Sequence, residues 1–377
     1  MTPLRRICFV STGLGRGGAE AQLFRAACGL RHRGFDVHVV SILPNDYYGA
    51  RLEAEGIPVT CLDAVPTTNP ALILSRFLRR VLPLAPHALA GFDYPGTMLA
   101  RVGGAVARVP VVISSIRSEK IGSRFRALAL QWTDSLANVT TTNSDRVARH
   151  LVRAGAVSGH RVRVIPNGLD LEAIGPHLRV HRAALRQSLG VAEDEFLWVA
   201  VGRLYEPKDY PNLLSAVSRL THHHHTAMKV AIAGQGPLLA QIESRIADLS
   251  LDQQVTLLGL RDDAAACMAA ADATVLASAW EGSPNAVIES LAVGTPVVST
   301  DVGGVREIVE DGHTGFIVPP GDPDALAAAM SKLMARSAAE RSRMGNAGRA
   351  HIEGRFGLDR VLDRWFDLFN GLMEHAA

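Results

Sequence analysis

Short runs rich in Val, Ile, Phe and Thr alternate with segments of helical periodicity along almost the whole chain. Two successive runs can lie parallel in one sheet only if the chain crosses back between them, and a helix is the usual crossover. In the first half, Ile7–Ser11, Val37–Ile42, Val111–Ser115, Val139–Thr142 and Val162–Ile165 read as strands. In the second half, Phe196–Val201, Met228–Ala233, Val255–Leu258, Ala273–Ala277 and Pro296–Ser299 do. Helical patterns follow Gly18 and run through Ala71–Leu82, Ser123–Leu136 and Ser144–Ala154. The expected class is α/β. A chain of 377 residues exceeds what one core usually holds. Two tandem Rossmann-like, doubly wound domains are therefore expected, residues 1–172 and 173–356. Pro166-Asn-Gly-Leu-Asp170 and the irregular stretch to Gly175-Pro176 would link them. The segment from Leu358 to Phe369 has Leu, Val, Trp and Phe at helical spacing, so a last helix at about 357–377 is expected to dock back on the first domain. Sheets of this kind bind ligands at the carboxyl ends of their strands, which makes a cleft between the domains the expected active site.

The totals exclude several classes. Apolar residues make up 47% and charged residues 20% of the chain, ordinary for a globular enzyme. No apolar run approaches the ~18 residues needed to span a bilayer. Arg5-Arg6 and the apolar run after them flow into a glycine-rich turn, so this start reads as a first strand and not a leader. Cys8, Cys28, Cys61 and Cys267 lack metal-like or redox-pair spacing and read as reduced thiols of a cytoplasmic protein. Residues 1–180 carry 22 Lys and Arg against 12 Asp and Glu, whereas the chain's net charge is only +2. That basic half suits an anionic partner, such as the inner face of the plasma membrane, and equally suits a solvated surface. No zinc finger, RNA-binding signature or Lys/Arg block points to nucleic acid.

The stretch Glu281-Gly-Ser-Pro-Asn-Ala-Val-Ile-Glu289 follows a buried-strand pattern. Ser283 is expected to cap a helix, with Pro284 at its first position and Gly294 ending it. A helix opening just after a strand offers free amides and partial positive charge, a seat for a phosphate. Glu281 would stand at its mouth and Glu289 inside the helix. Two carboxylates flanking an anion seat match hydroxyl groups on either side of a diphosphate, as in a sugar nucleotide. The alternative is a pair of ordinary surface glutamates.

Gly13-Leu-Gly15-Arg-Gly17-Gly18 imitates a dinucleotide fingerprint, with Asp36 at nearly the spacing of its ribose acid. That acid belongs at the end of the second strand, whereas Asp36 precedes Val37. A glycine turn approached by a phosphate or sugar is the better use of Gly17 and Gly18.

At this point the chain resembles family 4 of the retaining glycosyltransferases, which have the GT-B fold. The resemblance rests on Gly17-Gly18-Ala-Glu20, Thr142-Asn143-Ser144, Ile165-Pro-Asn-Gly-Leu-Asp170 and Val201-Gly-Arg203 with Lys208. It continues through Ala233-Gly-Gln-Gly236-Pro237, the Glu281–Glu289 stretch with its Glu-x7-Glu spacing, Gly294-Thr-Pro-Val-Val, Gly303-Gly304 and Thr314-Gly-Phe-Ile-Val-Pro.

The resemblance implies that Arg203 and Lys208 hold the donor diphosphate, and the chemistry agrees. Two cations in a loop after a strand can neutralise charge growing on a leaving nucleotide diphosphate. Lys208 is one of four lysines against 35 arginines. Glu281 would contact donor-sugar hydroxyls near the reacting carbon, and Glu289 the ribose hydroxyls. Pro284 would open the helix, the amides of Asn285, Ala286 and Val287 would face the diphosphate, and Asn285 would also reach the sugar. Gly17 and Gly18 would approach the donor from the first domain. The turn at Gly234–Pro237, with Gly236, would lie on the cleft floor, the alternative being a turn that needs positive φ. The base would rest on backbone near Leu260-Arg261. Proline and asparagine after Gly282 lean towards UDP-linked donors.

The chemistry implied is sugar transfer with retention at the anomeric carbon, the leaving phosphate taking the acceptor's proton. The acceptor would be a glycan or a polyprenyl-diphosphate sugar, as in assembly of a bacterial surface polysaccharide. Two other readings stay open: a sugar-nucleotide epimerase or phosphorylase of the same fold, and a non-catalytic sugar-nucleotide-binding subunit. A histidine usual beside the family's acceptor site is missing, with Asp93 and Arg117 in its neighbourhood. Arg117 either binds an acceptor phosphate or pairs with Glu119 or Asp93, and Glu20 either serves the acceptor or complements a helix dipole. No cofactor or metal is implied. Asp322-Pro-Asp324 reads as a helix cap and His222–His225 as a surface turn. The segments Ala71–Leu82 and Ser123–Trp132 are apolar on one side with clustered arginines. Packing on the sheet is the favoured reading for both, and an anionic leaflet is the alternative.

Overall fold

The computed structural model describes residues 5–65, 67–223 and 227–376. The chain start at Met1–Leu4 and the side chains of the His222–His225 run lie outside the described residues. The chain divides into two compact units, Met1–Gly168 with Leu358–Ala377, and Leu169–Gly357.

The first unit is built on β1 (Arg6–Ser11), β2 (Asp36–Ser41), β3 (Val59–Cys61), β4 (Ala88–Phe92), β5 (Val111–Ile116), β6 (Val139–Thr142) and β7 (Val162–Val164). They form one parallel sheet in the order β3-β2-β1-β4-β5-β6-β7. The second unit holds β8 (Phe196–Val201), β9 (Met228–Ala233), β10 (Val255–Gly259), β11 (Ala273–Leu276), β12 (Val297–Thr300) and β13 (Gly315–Val318). Their order, β10-β9-β8-β11-β12-β13, repeats the first pattern, again all parallel. In each sheet the order reverses between the first strand and the fourth, and this opens a crevice beyond their carboxyl ends. In the second unit that place lies between the loops after β8 and β11.

Three strands carry too little signal to be expected from sequence. β3 is three residues long, and β4 reads Ala-Leu-Ala-Gly-Phe with no β-branched residue. Here tertiary position overrides propensity: β4 sits between β1 and β5, fully buried. β13, Gly-Phe-Ile-Val, pairs with β12 at an edge.

The helix Leu358–Ala376 belongs to the first unit. Trp365 stacks on Phe92 with ring centroids 6.1 Å apart, and Phe369 meets Phe9 edge-on, also at 6.1 Å. The helix lies so close to Gly18–His32 that a Cβ on Gly29 would fall 2.3 Å from a Leu362 methyl. Asp36 is the first residue of β2 and pairs with Arg6 on the adjoining strand at 2.5 Å. It thus sits at the end of the sheet away from the ligand side.

Candidate active site

In the second unit the loop after β8 and the loop after β11 are tied together by charge and by backbone. Lys208 Nζ donates to Glu281 Oε1 at 2.5 Å, and the Ser278 hydroxyl donates to the same oxygen at 2.9 Å. The Lys208 and Glu281 side chains keep 20% and 15% exposure, so the pair is half-sheltered and still reachable. The amide of Ala279 donates to the Pro207 carbonyl at 2.8 Å. Arg203 is exposed in the same β8 loop, its guanidinium over the Tyr205 ring at 5.1 Å.

Each charged residue is set by its neighbours. The Lys208 stem lies over Gly202, where a Cβ would come within 2.9 Å of Lys208 Cε. The Tyr210 hydroxyl donates to the Gly202 carbonyl at 2.8 Å, and burial, then the nearby Glu281, pushes its ionisation up. On the other side Thr300 Oγ1 donates to the Ser278 carbonyl at 2.6 Å, and the Gly304 amide donates to the Gly282 carbonyl at 2.7 Å. Gly303 has φ +51°, and a Cβ there would sit 2.4 Å from the Gly282 oxygen. The segment carrying Glu281 is therefore clamped between the β8 loop and the turn after β12.

The helix after this segment runs Asn285–Ala292. Ser283 is not its cap. Pro284 occupies the cap position in extended backbone, Asn285 is the first helical residue, and no side chain caps the end. Proline's fixed φ suits either place, and here the turn held by Gly303 sets the register. The Val287 amide is not available to an anion in this helix, because it donates to the Pro284 carbonyl at 3.1 Å. Asn285 and Ala286 remain the first-turn residues at the open end, and Glu289 lies half-buried within the helix. The helix is fixed to the sheet by Ser290, whose hydroxyl donates to Thr274 Oγ1 at 2.7 Å. Gly294 ends it with φ +76°.

The Gly234–Pro237 turn needs glycine for a different reason from positive φ, the alternative weighed for it. Neither Gly234 nor Gly236 has positive φ. A Cβ on Gly234 would lie 1.9 Å from the Gly202 oxygen, and one on Gly236 would lie 2.4 Å from the Leu204 oxygen. The glycines let the β8 loop pass over this turn, with the Leu204 amide bonded to the Gln235 carbonyl at 3.0 Å. Arg261 follows β10 and pairs with Asp263 through two bonds of 2.7 and 2.6 Å. That pairing raises the guanidinium's pKa and lowers the carboxyl's. The Arg261 guanidinium is thus engaged by Asp263, and Leu260 beside it is exposed.

In the first unit, Gly17 is the cap residue of Gly18–His32, with extended backbone. The Glu20 carboxylate folds back over it: a Cβ on Gly17 would fall 2.1 Å from Glu20 Oε2. Asp93 stands at the end of β4 with φ +56°. Arg117, beyond β5, is 8% exposed. It bonds to Asn167 Oδ1 and lies over the Phe92 ring at 5.5 Å. Burial lowers its pKa to about 10, and the charge of Asp93 opposes this. Glu119 is not its partner, since it pairs with Arg146 at 3.1 Å. Asn143 Nδ2 donates to the Arg117 carbonyl at 3.5 Å, while its Oδ1 is buried with no partner among the described residues.

Sequence reasoning missed Ser278, Tyr210 and Gly202, which position Lys208 and Glu281. A lone serine after a strand carries no sequence signal; only the fold brings it to the carboxylate. Asp322 does cap its helix, accepting from the amides of Asp324 and Ala325 at 3.1 and 2.9 Å. Among the described residues no three His, Cys, Asp or Glu side chains converge as a metal site. The four cysteines are free thiols, and burial pushes Cys8 up to about 12 and Cys28 up to about 11.

Two doubly wound units with the same strand order match the GT-B architecture. The family profile described as Glycosyl transferases group 1 matches residues 181–351, and the Glycosyl transferase 4-like domain matches 17–168. The chain belongs to the family-4 type of GT-B glycosyltransferases. It is 27% identical over 248 residues to the UDP-Gal:alpha-D-GlcNAc-diphosphoundecaprenol alpha-1,3-galactosyltransferase of Escherichia coli, covering 63% of each chain. It is 26% identical over 291 residues to the lipopolysaccharide core biosynthesis glycosyltransferase LpsE of Rhizobium meliloti (strain 1021), covering 77% of this chain and 80% of the relative. The chain thus spans a little under two thirds of the E. coli relative's length. Among solved structures, Anabaena HepE in complex with UDP-glucose superposes with a TM-score of 0.84 at 22% identity, over 97% of this chain and 99% of that one.

Proposed function

We propose that the protein transfers a glycosyl unit, with retention, from a UDP-sugar to a glycan or polyprenyl-diphosphate-linked acceptor in bacterial surface glycoconjugate synthesis. The observation that carries the reading is the Lys208–Glu281 pair, 2.5 Å apart at the switch point of the second sheet, with exposed Arg203 in the same loop. An ammonium has three donors, and Glu281 takes one. The others, with the Arg203 fork, meet the donor diphosphate and stabilise the charge that develops as the sugar departs. Glu281 accepts from a sugar hydroxyl and so fixes the pyranose against the acceptor. Asn285 and Ala286, at an uncapped helix start, add amides and dipole to the same charge. Glu289 accepts from the ribose diol, and backbone beside Arg261 borders the base.

In the first unit, Gly17, Gly18 and Glu20 lie after β1 and Asp93 after β4, at that sheet's own switch point; Gly17 and Gly18 are assigned to the donor, and Glu20 and Asp93 to the acceptor side. Arg117, whose guanidinium feels the charge of Asp93, is assigned to the same side. No metal is needed, because Lys208, Arg203 and the helix supply the positive charge. A UDP-linked donor is supported by the UDP-glucose held in Anabaena HepE and by the UDP-Gal donor in the name of the E. coli relative. The lipid-linked acceptor is supported by that relative's diphosphoundecaprenol substrate. A user of nucleotide sugars works where they are made, in the cytoplasm.

A thermal-shift panel of UDP-, GDP- and ADP-sugars tests the reading. Stabilisation by UDP-sugars, abolished in Lys208→Ala, is expected. Equal indifference to all three families of donor overturns the assignment, and sugar turnover that needs no acceptor turns it towards an epimerase.

A further inference from the structure

The helix Arg124–Trp132 gives one large apolar residue to the core and three to solvent. Leu130 is 1% exposed and packs with Val147 and Leu151. Phe125, Leu128 and Trp132 are 83%, 41% and 77% exposed. At 3.6 residues per turn these three fall within about 60° of one another, a single stripe turned away from Leu130. Residues 120–133 include Lys120, Arg124 and Arg126 and no acidic residue. The acids that bracket the segment are engaged elsewhere. Glu119 pairs with Arg146 at 3.1 Å, and Asp134 with the buried Arg101 at 3.4 Å. An aromatic stripe bordered by Arg124 is thus held outward.

The helix Pro70–Val81 looks alike in sequence and differs in structure. Phe77 and Val81 are buried in the sheet's core. Arg76 donates to the carbonyls of Leu62 and Asp63 at 2.8 and 3.0 Å, and Arg80 pairs with Asp63 at 3.5 Å. Its arginines fasten the helix to the loop after β3. The expectation that the apolar side packs on the sheet therefore holds for Phe77 and Val81 of Pro70–Val81, and not for Phe125, Leu128 and Trp132.

We infer that the face formed by Phe125, Leu128 and Trp132, with Arg124 at its border, docks the protein on an anionic lipid bilayer. Phe and Trp enter the boundary between headgroups and acyl chains, and the cations meet lipid phosphates. A second copy of the chain is the poorer occupant, because a two-fold contact sets each stripe's cations against their own like. Among the described residues no helix is long and apolar enough to cross the membrane, so the contact is with its surface. This docking stands apart from the chemistry of Lys208 and Glu281.

The test is flotation of the full chain with two vesicle types, pure phosphatidylcholine and an equal mixture with phosphatidylglycerol. Preferential binding to the mixture, weakened by salt, is expected. The double variant Phe125→Ser/Trp132→Ser should lose at least about tenfold in affinity, and Arg124→Glu roughly fivefold or more. Val180→Ser, at an apolar residue of the second unit that is 79% exposed, should bind like the parent. Parent protein that fails to float with the mixture at low salt overturns the inference, as does a double variant that floats as well as the parent. A dimer seen by light scattering and abolished by the double variant, without vesicle binding, reassigns the face to self-association. Thermal stabilisation by UDP-sugars, read on the same samples, reports on the active site alone. Lost docking with that response intact therefore counts against the docking face and not against the transferase.

Discussion

Lys208 and Glu281 come from loops 73 positions apart, yet their charged atoms lie 2.5 Å from one another. Removing either should strike chemistry more than folding, because the Lys208 and Glu281 side chains retain contact with solvent, at 20% and 15% exposure. Lys208→Ala and Glu281→Gln are each expected to lower kcat by a factor of about 100 to 1000, with unfolding midpoints near the parent's. Steady-state rates beside urea melts check this, and near-normal turnover in both variants removes the pair from the mechanism. Gly234 makes the opposite case. Its substitution by Ala would put a methyl 1.9 Å from the Gly202 carbonyl oxygen. Neither backbone segment can move cheaply, since the Gly202 amide is bonded to the Ala233 carbonyl at 3.0 Å and the Gly234 amide to the Gly259 carbonyl at 2.8 Å. Gly234→Ala is expected to cost about 1–3 kcal/mol and to raise KM for the donor through displacement of Arg203 and Lys208. An unchanged melt and an unchanged KM would contradict the close approach.

At the scale of elements, the short helix Arg182–Ser188 is fastened to the second sheet through Asp272, the residue before β11. The Asp272 carboxylate receives Arg182 at 2.8 Å, Arg186 at 2.9 Å and the Leu197 amide at 2.9 Å. Burial pushes its pKa up, but the Leu197 amide and the two arginines outweigh it, so the net shift is downward. A carboxyl with a depressed folded pKa contributes stability that is present above its unfolded value near 3.8 and is lost as pH falls through the folded one. The contribution is thus complete at neutral pH and disappears only in strong acid. Asp272→Asn leaves Arg182, Arg186 and, at 3.7 Å, Arg341 short of their counter-charge, and a loss of about 3–5 kcal/mol is expected. Urea unfolding from neutral pH down to about pH 2 tests this: the gap between parent and variant should begin to narrow only below the unfolded value near 3.8.

At the scale of the whole molecule, each unit owns a core. The C-terminal helix Leu358–Ala376 completes the first, and the Asp272 cluster serves the second. One unfolding free energy does not describe such a chain. Trp365→Ala empties a site under Phe92 and Phe369 and should cost the first unit about 3–5 kcal/mol. Calorimetry is expected to resolve two transitions, one lowered by Trp365→Ala and the other by Asp272→Asn. A single transition moved equally by both variants would show the units unfold together. The charge imbalance belongs to this scale too. The basic excess of residues 1–180 includes the segment that carries the exposed aromatic stripe.

The alternation of apolar periods determined by itself that the chain is α/β with parallel sheets, because period 2 and period 3.6 are local properties of neighbouring side chains. The glycine, lysine and glutamate motifs marked the loops after β1, β8 and β11 for the same reason: each is read within a few residues. Tertiary structure alone decided what is non-local. β4 is a strand because it is covered on both edges, although Ala-Leu-Ala-Gly-Phe has no strand preference of its own. Gly234 and Gly236 are required by the passage of another loop rather than by their own φ. Ser278 matters because Glu281 returns to it, and Pro284 became the cap because Gly303 grips the segment before it. The two basic amphipathic helices, equivalent in pattern, were separated by what each packs against. Hydrophobic periodicity says which face is apolar, and only the neighbouring elements say whether that face is covered.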